Sequence, residues 1–154
     1  MTPPIDTNFD SEGPTALVCV DDPDVLSIVI EQLGDIGYQV SCGMSPEDML
    51  YKLQGNTYDV LLIAENIGEF TVADNPLLAE TRNLHARQRQ QQVVVLLGPS
   101  VQTSEEGQAF QLSVDHVINS ADVSNLGVLV RRAVTRAKEF YGRHIDAIAA
   151  ADTA

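Results

Sequence analysis

ALVCVDDPDVLSIVIEQLGDIGYQV, residues 16–40, holds a strand, a turn, a helix and a second strand in one unbroken stretch. Ala16–Val20 is continuously apolar, and Asp21, Asp22, Pro23 and Asp24 stop it. A run of that kind, ended by turn residues, fits a strand covered on both faces of a parallel sheet. Pro23 suits the first turn of a helix, where its missing N–H loses no hydrogen bond. Asp22 and Asp24 put negative charge at the positive end of that helix. The helix is expected from Asp24 to Ile36, with Val25, Val29, Leu33 and Ile36 on one stripe that Ile28 and Ile30 widen. Gly37 then ends it as a left-handed cap, and Gln39–Cys42 makes a short second strand.

Working outward, residues 1–14 hold three prolines and three acids and read as a mobile arm before the main domain, residues 15–143. Ser45, Pro46, Glu47 and Asp48 form a helix start with a cap, a first-position proline and early acids. Met49, Leu50 and Leu53 face inward from that helix, which stops near Gly55. Val60–Ala64 is a strand without alternation, hence central, and Asp59 caps the turn at its amino end. Residues 65–75 form a long connection, and Pro76 opens a third helix bearing Leu77, Leu78 and Leu84. Val93–Leu97 is β-branched, uninterrupted and bounded by Gly98-Pro99-Ser100, which reads as a flexible turn. Ser104 with Glu105 and Glu106 starts a fourth helix bearing Phe110 and Leu112, and Val114–Asn119 is a fifth strand. From Asp122 a long last helix carries Leu126, Leu129, Val130, Ala133, Ala137, Phe140 or Tyr141, Ile145 and Ile148 at helical spacing. Residues 144–154 are its extension or a tail. Strands alternating with helices in this way define an α/β fold, an open parallel sheet doubly wound by right-handed crossovers.

At 154 residues and 44% hydrophobic the chain is one domain with enough material for its own core. A net charge of −13 disfavours nucleic acid and anionic membrane as partners, because both are negative. No signal peptide or spanning run is present in the sequence given, so a cytoplasmic location is expected. Cys19 and Cys42 read as reduced, buried thiols. His85, His116 and His144 share no ligand spacing and are expected at the surface or partly buried. Ligands in open parallel sheets bind at the carboxyl ends of the strands. Here those ends are Val20–Asp22, Ala64–Asn66, Leu97–Ser100 and Asn119–Ser120. Neither a GxGxxG nor a GxxxxGK[ST] signature is present, and VDDPD after the first strand would repel a phosphate, which disfavours a flavodoxin-like cofactor site.

In order and spacing the chain resembles a response-regulator receiver domain of the two-component family from about Ala16 to Arg143. ALVCVDDPDV…LGDIGYQV matches the opening without a gap; YDVLLIAENI, VVVLLGPS and SVDHVINSAD match the third, fourth and fifth strands with their exits. The resemblance implies a flavodoxin-like sheet of order 2-1-3-4-5. It also implies a site: two acids after strand one hold a divalent cation, and an Asp ending strand three takes a phosphoryl group. A Thr or Ser after strand four and a Lys after strand five contact the phosphoryl oxygens. This sequence departs at each place. Val20 stands at the first acid position, with Asp21 at the second and Asp22 after it. Ala64 replaces the nucleophile, Leu97 the hydroxyl residue and Ser120 the Lys.

Glu65 is the nearest carboxylate to the lost nucleophile, but successive strand side chains point to opposite faces, which would misdirect it. Asp21 and Asp22 could hold Mg²⁺ or Ca²⁺ weakly. With no third ligand they read better as acids favouring the first helix dipole, so no metal and no cofactor is expected. The expected function is that of a pseudo-receiver, a non-enzymatic signalling domain that works by protein–protein contact without phosphorylation. Phosphate acceptance at Glu65, or a small-molecule pocket walled by Val20, Ala64 and Leu97, are the alternatives. The surface expected to meet a protein partner or a second copy lies on the last helix, at Leu126, Val130, Phe140 and Tyr141, rimmed by Arg131, Arg132 and Arg136.

Overall fold

The computed structural model describes residues 13–84, 89 and 91–153, with the side chains of 141–153 outside that description. The expected arm lies outside the described residues up to residue 12, as do His85 and the side chains of Tyr141 and His144. Strand β1 (Thr15–Cys19) is followed by helix α1 (Pro23–Asp35), β2 (Gln39–Cys42), α2 (Pro46–Gly55) and β3 (Val60–Ala64). After α3 (Pro76–Arg82) come β4 (Val93–Gly98), α4 (Glu106–Leu112), β5 (His116–Asn119), a 3-10 turn (Ser120–Asn125) and α5 (Leu126–Thr153). The five strands form one parallel sheet in the order β2-β1-β3-β4-β5.

Parallel pairing sets Ala16 beside Val60, Val60 beside Val93, and Val95 beside His116. The two-residue side-chain period then sorts the apolar strands into two cores. Ala16, Val18, Leu62, Val95 and Ile118 face Val29 and Leu33 of α1 and Leu126 and Val130 of α5. Leu17, Cys19, Leu61, Ile63 and Leu96 face Met49 and Leu53 of α2, Leu77 and Leu78 of α3, and Ala109 of α4. The doubly wound parallel sheet read from the sequence is thus the observed one.

The local signals act as their chemistry dictates at most boundaries. The Ser45 side chain accepts from the Asp48 N–H at 3.1 Å and caps α2, with Pro46 in its first turn. Gly37 takes φ +96 just past α1, and Asp59 Oδ2 accepts from the Thr15 N–H at 2.8 Å at the amino end of the sheet. Both cysteines are free thiols, and burial, with a smaller contribution from Cys42, pushes Cys19 up to about 12.

Five expectations need correction. Ile28 and Ile30 are exposed, and Leu26 rather than either of them packs partly against the core beside Val25. Helix α3 ends at Arg82, before Leu84, where Asn83 leaves helical geometry and its N–H returns to Glu80 O. Helix α4 starts at Glu106 with Glu105 as its cap, because Ser104 sits at φ 63 and sends its N–H to Val117 O. The fifth strand begins at His116 rather than Val114. Ser113 closes α4 in a left-handed cap, and the Val114 N–H goes to Ala109 O, so it cannot join the ladder. The last helix begins at Leu126, four residues later than expected, because Asn119 caps a 3-10 turn through the Ala121 N–H.

Candidate functional site at the strand ends

The four departures lie where the carboxyl ends of the strands meet. Val20 and Leu97 are buried in the α1/α5 core, and Ala64, paired with Leu97 in the ladder, packs partly against it. They make an apolar floor where the resemblance implies an acid, a nucleophile and a hydroxyl residue.

The carboxylates around this floor are engaged by backbone. Asp22 Oδ1 accepts from the N–H groups of Asp24 (3.0 Å) and Val25 (3.3 Å), capping α1. Asp21 Oδ2 accepts from the Gly68 N–H at 2.6 Å and ties the β1 exit to the loop after β3. Glu65 is only 3% exposed, and its Oε2 accepts from the Ser100 N–H at 2.9 Å. A Cβ added at Gly98 would fall inside the Glu65 carboxylate, so glycine there makes room for it. Gly98-Pro99-Ser100 is therefore a pinned turn and not the flexible one expected. Among the described residues no three metal-binding side chains converge.

Asn119, beside Ser120, supplies further ties. Its Nδ2 donates to Val101 O (2.7 Å) and Pro99 O (3.4 Å), and its N–H donates to Thr103 Oγ1 (2.8 Å). Thr103 Oγ1 in turn donates to Asp122 in the 3-10 turn. Asn75 caps α3 and donates to Ala64 O (2.9 Å) and Glu65 O (3.2 Å). Thr103, Asp122 and Asn75 were missed as site residues. Asn75-Pro76 is readable as a helix start, but the reach back to β3 has no local signal.

The surface expected on the last helix is rearranged. Leu126 and Val130 are fully buried against the sheet and offer nothing to a partner. Arg131 lies near Tyr38, where its charge lowers the phenol pKa that burial and Asp59 raise, while Arg136 pairs with Glu106 of α4. Arg131 and Arg136 thus lie against different neighbours, on either side of α5, while Arg132 is exposed one turn before Arg136. Phe140 is 65% exposed. With Phe110 of α4, 86% exposed, it borders an open groove of about 860 Å³ between α4 and α5 at the β5 edge of the sheet. His116, expected at the surface or partly buried, is buried beside this groove with its Nε2 3.2 Å from Ser104 Oγ. Burial lowers its pKa, Arg136 lowers it further, and Asp115 opposes both. Asp115 itself is held by Arg89 Nη1 at 2.7 Å and accepts from the Val94 N–H at 2.8 Å.

No family model matches the sequence, and no curated protein matches it significantly. Solved structures do. A Francisella response-regulator receiver domain superposes with TM-score 0.64 at 18% identity, covering 80% of this chain and 98% of that one. A putative response regulator from Chloroflexus aurantiacus gives 0.64 at 19%, over 79% and 98%. A chemotaxis response regulator of Vibrio cholerae gives 0.59 at 16%, over 78% and 98%. Among the described residues no helix is long and apolar enough to cross a membrane. The chain has the fold of response-regulator receiver domains.

Proposed function

We propose that this chain is a receiver-like signalling module that acts by protein–protein contact, independently of phosphorylation and without chemistry of its own. The observation that carries the reading is the apolar floor of Val20, Ala64 and Leu97, flanked by carboxylates already bonded to backbone N–H groups. Phosphoryl transfer to a carboxylate needs a nucleophile open to the donor, a cation held by neighbouring acids, and a fixed positive charge for the product. Ala64 offers no nucleophile. Glu65 is enclosed between Gly98 and the Ser100 N–H, which speaks against it as a substitute acceptor. Ser120 supplies no cation. The segments after β4 and β5 are stitched by Asn119, Thr103, Asp122 and Glu65, so a phosphoryl group would have little mobile structure to bias. The groove between α4 and α5, with its exposed aromatics, is the docking face in this reading. An apolar ligand at the strand ends is less well supported, because Val20 and Leu97 are already buried by the protein's own core.

The test is incubation of the purified chain with acetyl phosphate, and separately with BeF₃⁻, each with Mg²⁺. Intact mass and amide spectra are expected to stay unchanged. A stoichiometric adduct on Glu65 or Asp21, or saturable amide shifts centred on residues 64–68 and 98–104, would overturn the reading.

A further inference from the structure

We infer that the groove between α4 and α5 docks a cationic, amphipathic protein segment rather than a second copy of this chain. The inference rests on the docking reading above and specifies the partner. Ala109, Val114, Val117, Ala133 and Ala137 line the groove floor. Alanine and valine leave depth rather than fill it, so the complementary shape is a bulky apolar side chain brought by the partner. Phe110 from α4 and Phe140 from α5 border that depth and give the partner's anchor aromatic surface to pack on.

The charge of the rim decides the partner's sign. Glu105, Glu106, Asp115 and Glu139 line the groove against one arginine, Arg136. Arg136 is bonded to Glu106, and Arg89 holds Asp115 from outside the groove. Among the described residues no cation pairs with Glu105 or Glu139, which leaves the rim acidic. His116 adds no positive charge at neutral pH, since burial and Arg136 both favour its neutral form. An isologous dimer would set each acid near its own copy and leave both arginines committed within their protomers. A segment with Leu or Phe on one face and Lys or Arg on the other fills the floor and neutralises the rim. The net charge of −13 would steer it in from a distance.

The probe is a helical peptide of about four turns with Leu and Phe on one face and Lys on the other. Its counterpart carries Glu in place of Lys. The full chain is titrated with each while amide shifts are recorded. The Lys peptide is expected to bind with shifts confined to residues 104–117 and 133–140, weakening as salt rises, and the Glu peptide is expected not to bind there. Glu105→Gln with Glu139→Lys is expected to weaken the Lys peptide about tenfold; the Gln amide oxygen can still cap α4 through the Gly107 N–H. Glu31→Gln with Asp35→Lys, the same charge change on the exposed side of α1, should have little effect. Equal weakening by both pairs would mean a general attraction to an acidic protein and would overturn the inference. Preference for the Glu peptide at the groove, or a concentration-dependent dimer through it, would overturn the cationic partner while leaving the docking face intact. Shifts spread away from the groove would sink both.

Discussion

At the scale of single residues, Glu65, one position from the expected nucleophile, is enclosed by the protein's own backbone. It follows the last residue of β3, so it leaves the α1/α5 face that Ala64 joins and turns under the end of β4. There it meets Ser100 N–H and the bare Cα of Gly98. Gly98→Ala forces a methyl group into that carboxylate and should lower stability by about 1–3 kcal/mol, the usual range for an overpacked interior. A urea midpoint equal to that of the unmodified chain would show that the carboxylate can move aside. His116 gives a second residue-scale expectation. Its folded-state pKa lies below the ordinary histidine value, so the unfolded chain binds more protons as the solution is acidified. The stabilisation from neutral His116 is complete above the unfolded value of about 6.5 and is lost as pH falls through it toward the folded value. Unfolding curves between about pH 7.5 and 5.5 should therefore slope less for His116→Gln than for the parent. Parallel slopes would assign the pH dependence to the carboxylates instead.

At the scale of elements, the last helix separates two roles that its apolar spacing runs together. Leu126 and Val130 lie at the bottom of the α1/α5 core, whereas Val128 is 51% exposed and Phe140 lies out at the groove. Leu126→Ala should cost about 2–5 kcal/mol as a buried large-to-small change. Val128→Ala, on the same helix, should stay within about 0.5 kcal/mol. Denaturant unfolding of the two variants checks the assignment, and a large loss at Val128 would mean that its face is covered. The 3-10 turn before α5 follows the same logic. Thr103 and Asn119 hold Ser120–Asn125 in place through side-chain bonds, so the helix cannot begin where its acidic start signal stands.

At the scale of the whole molecule, the sheet is intact while the chemistry implied at its carboxyl end is replaced by apolar packing and short backbone-directed bonds. Val20, Ala64 and Leu97 extend the α1/α5 core up to the rim of the strands. Asp21, Glu65 and Asn119 join loops that follow different strands, and Asn75 ties the end of the β3 loop back to its own strand. Under the proposed function, a rim built this way resists rearrangement by a small anion. The expected indifference to BeF₃⁻ and Mg²⁺ is therefore also a statement about global stability. A ligand at about a hundred times its dissociation constant adds about 2.7 kcal/mol, so an unchanged urea midpoint is a sensitive reading of no binding. Under the proposed function, the surface for a partner then lies across the molecule's side, between α4 and α5.

The sequence by itself determined the doubly wound sheet, because uninterrupted apolar strands, helix starts marked by Pro23 with its flanking acids, by Ser45 with Pro46 and by Pro76, and the glycine after α1 are local signals. It also placed Val20, Ala64, Leu97 and Ser120 at the positions where the receiver resemblance implies an acid, a nucleophile, a hydroxyl residue and a Lys, since a residue's identity needs no fold to be read. Only the tertiary structure decided which way the remaining groups face. Helical spacing on the last helix could not separate Leu126 and Val130, which the sheet covers, from Phe140, which it leaves open. Nor could it show that Arg136 is spent on Glu106 or that Asp22 is spent on the cap of α1. VDDPD carries the charge of a cation site in its composition, but the N–H groups of Asp24, Val25 and Gly68 take up its first two carboxylates once the chain is folded.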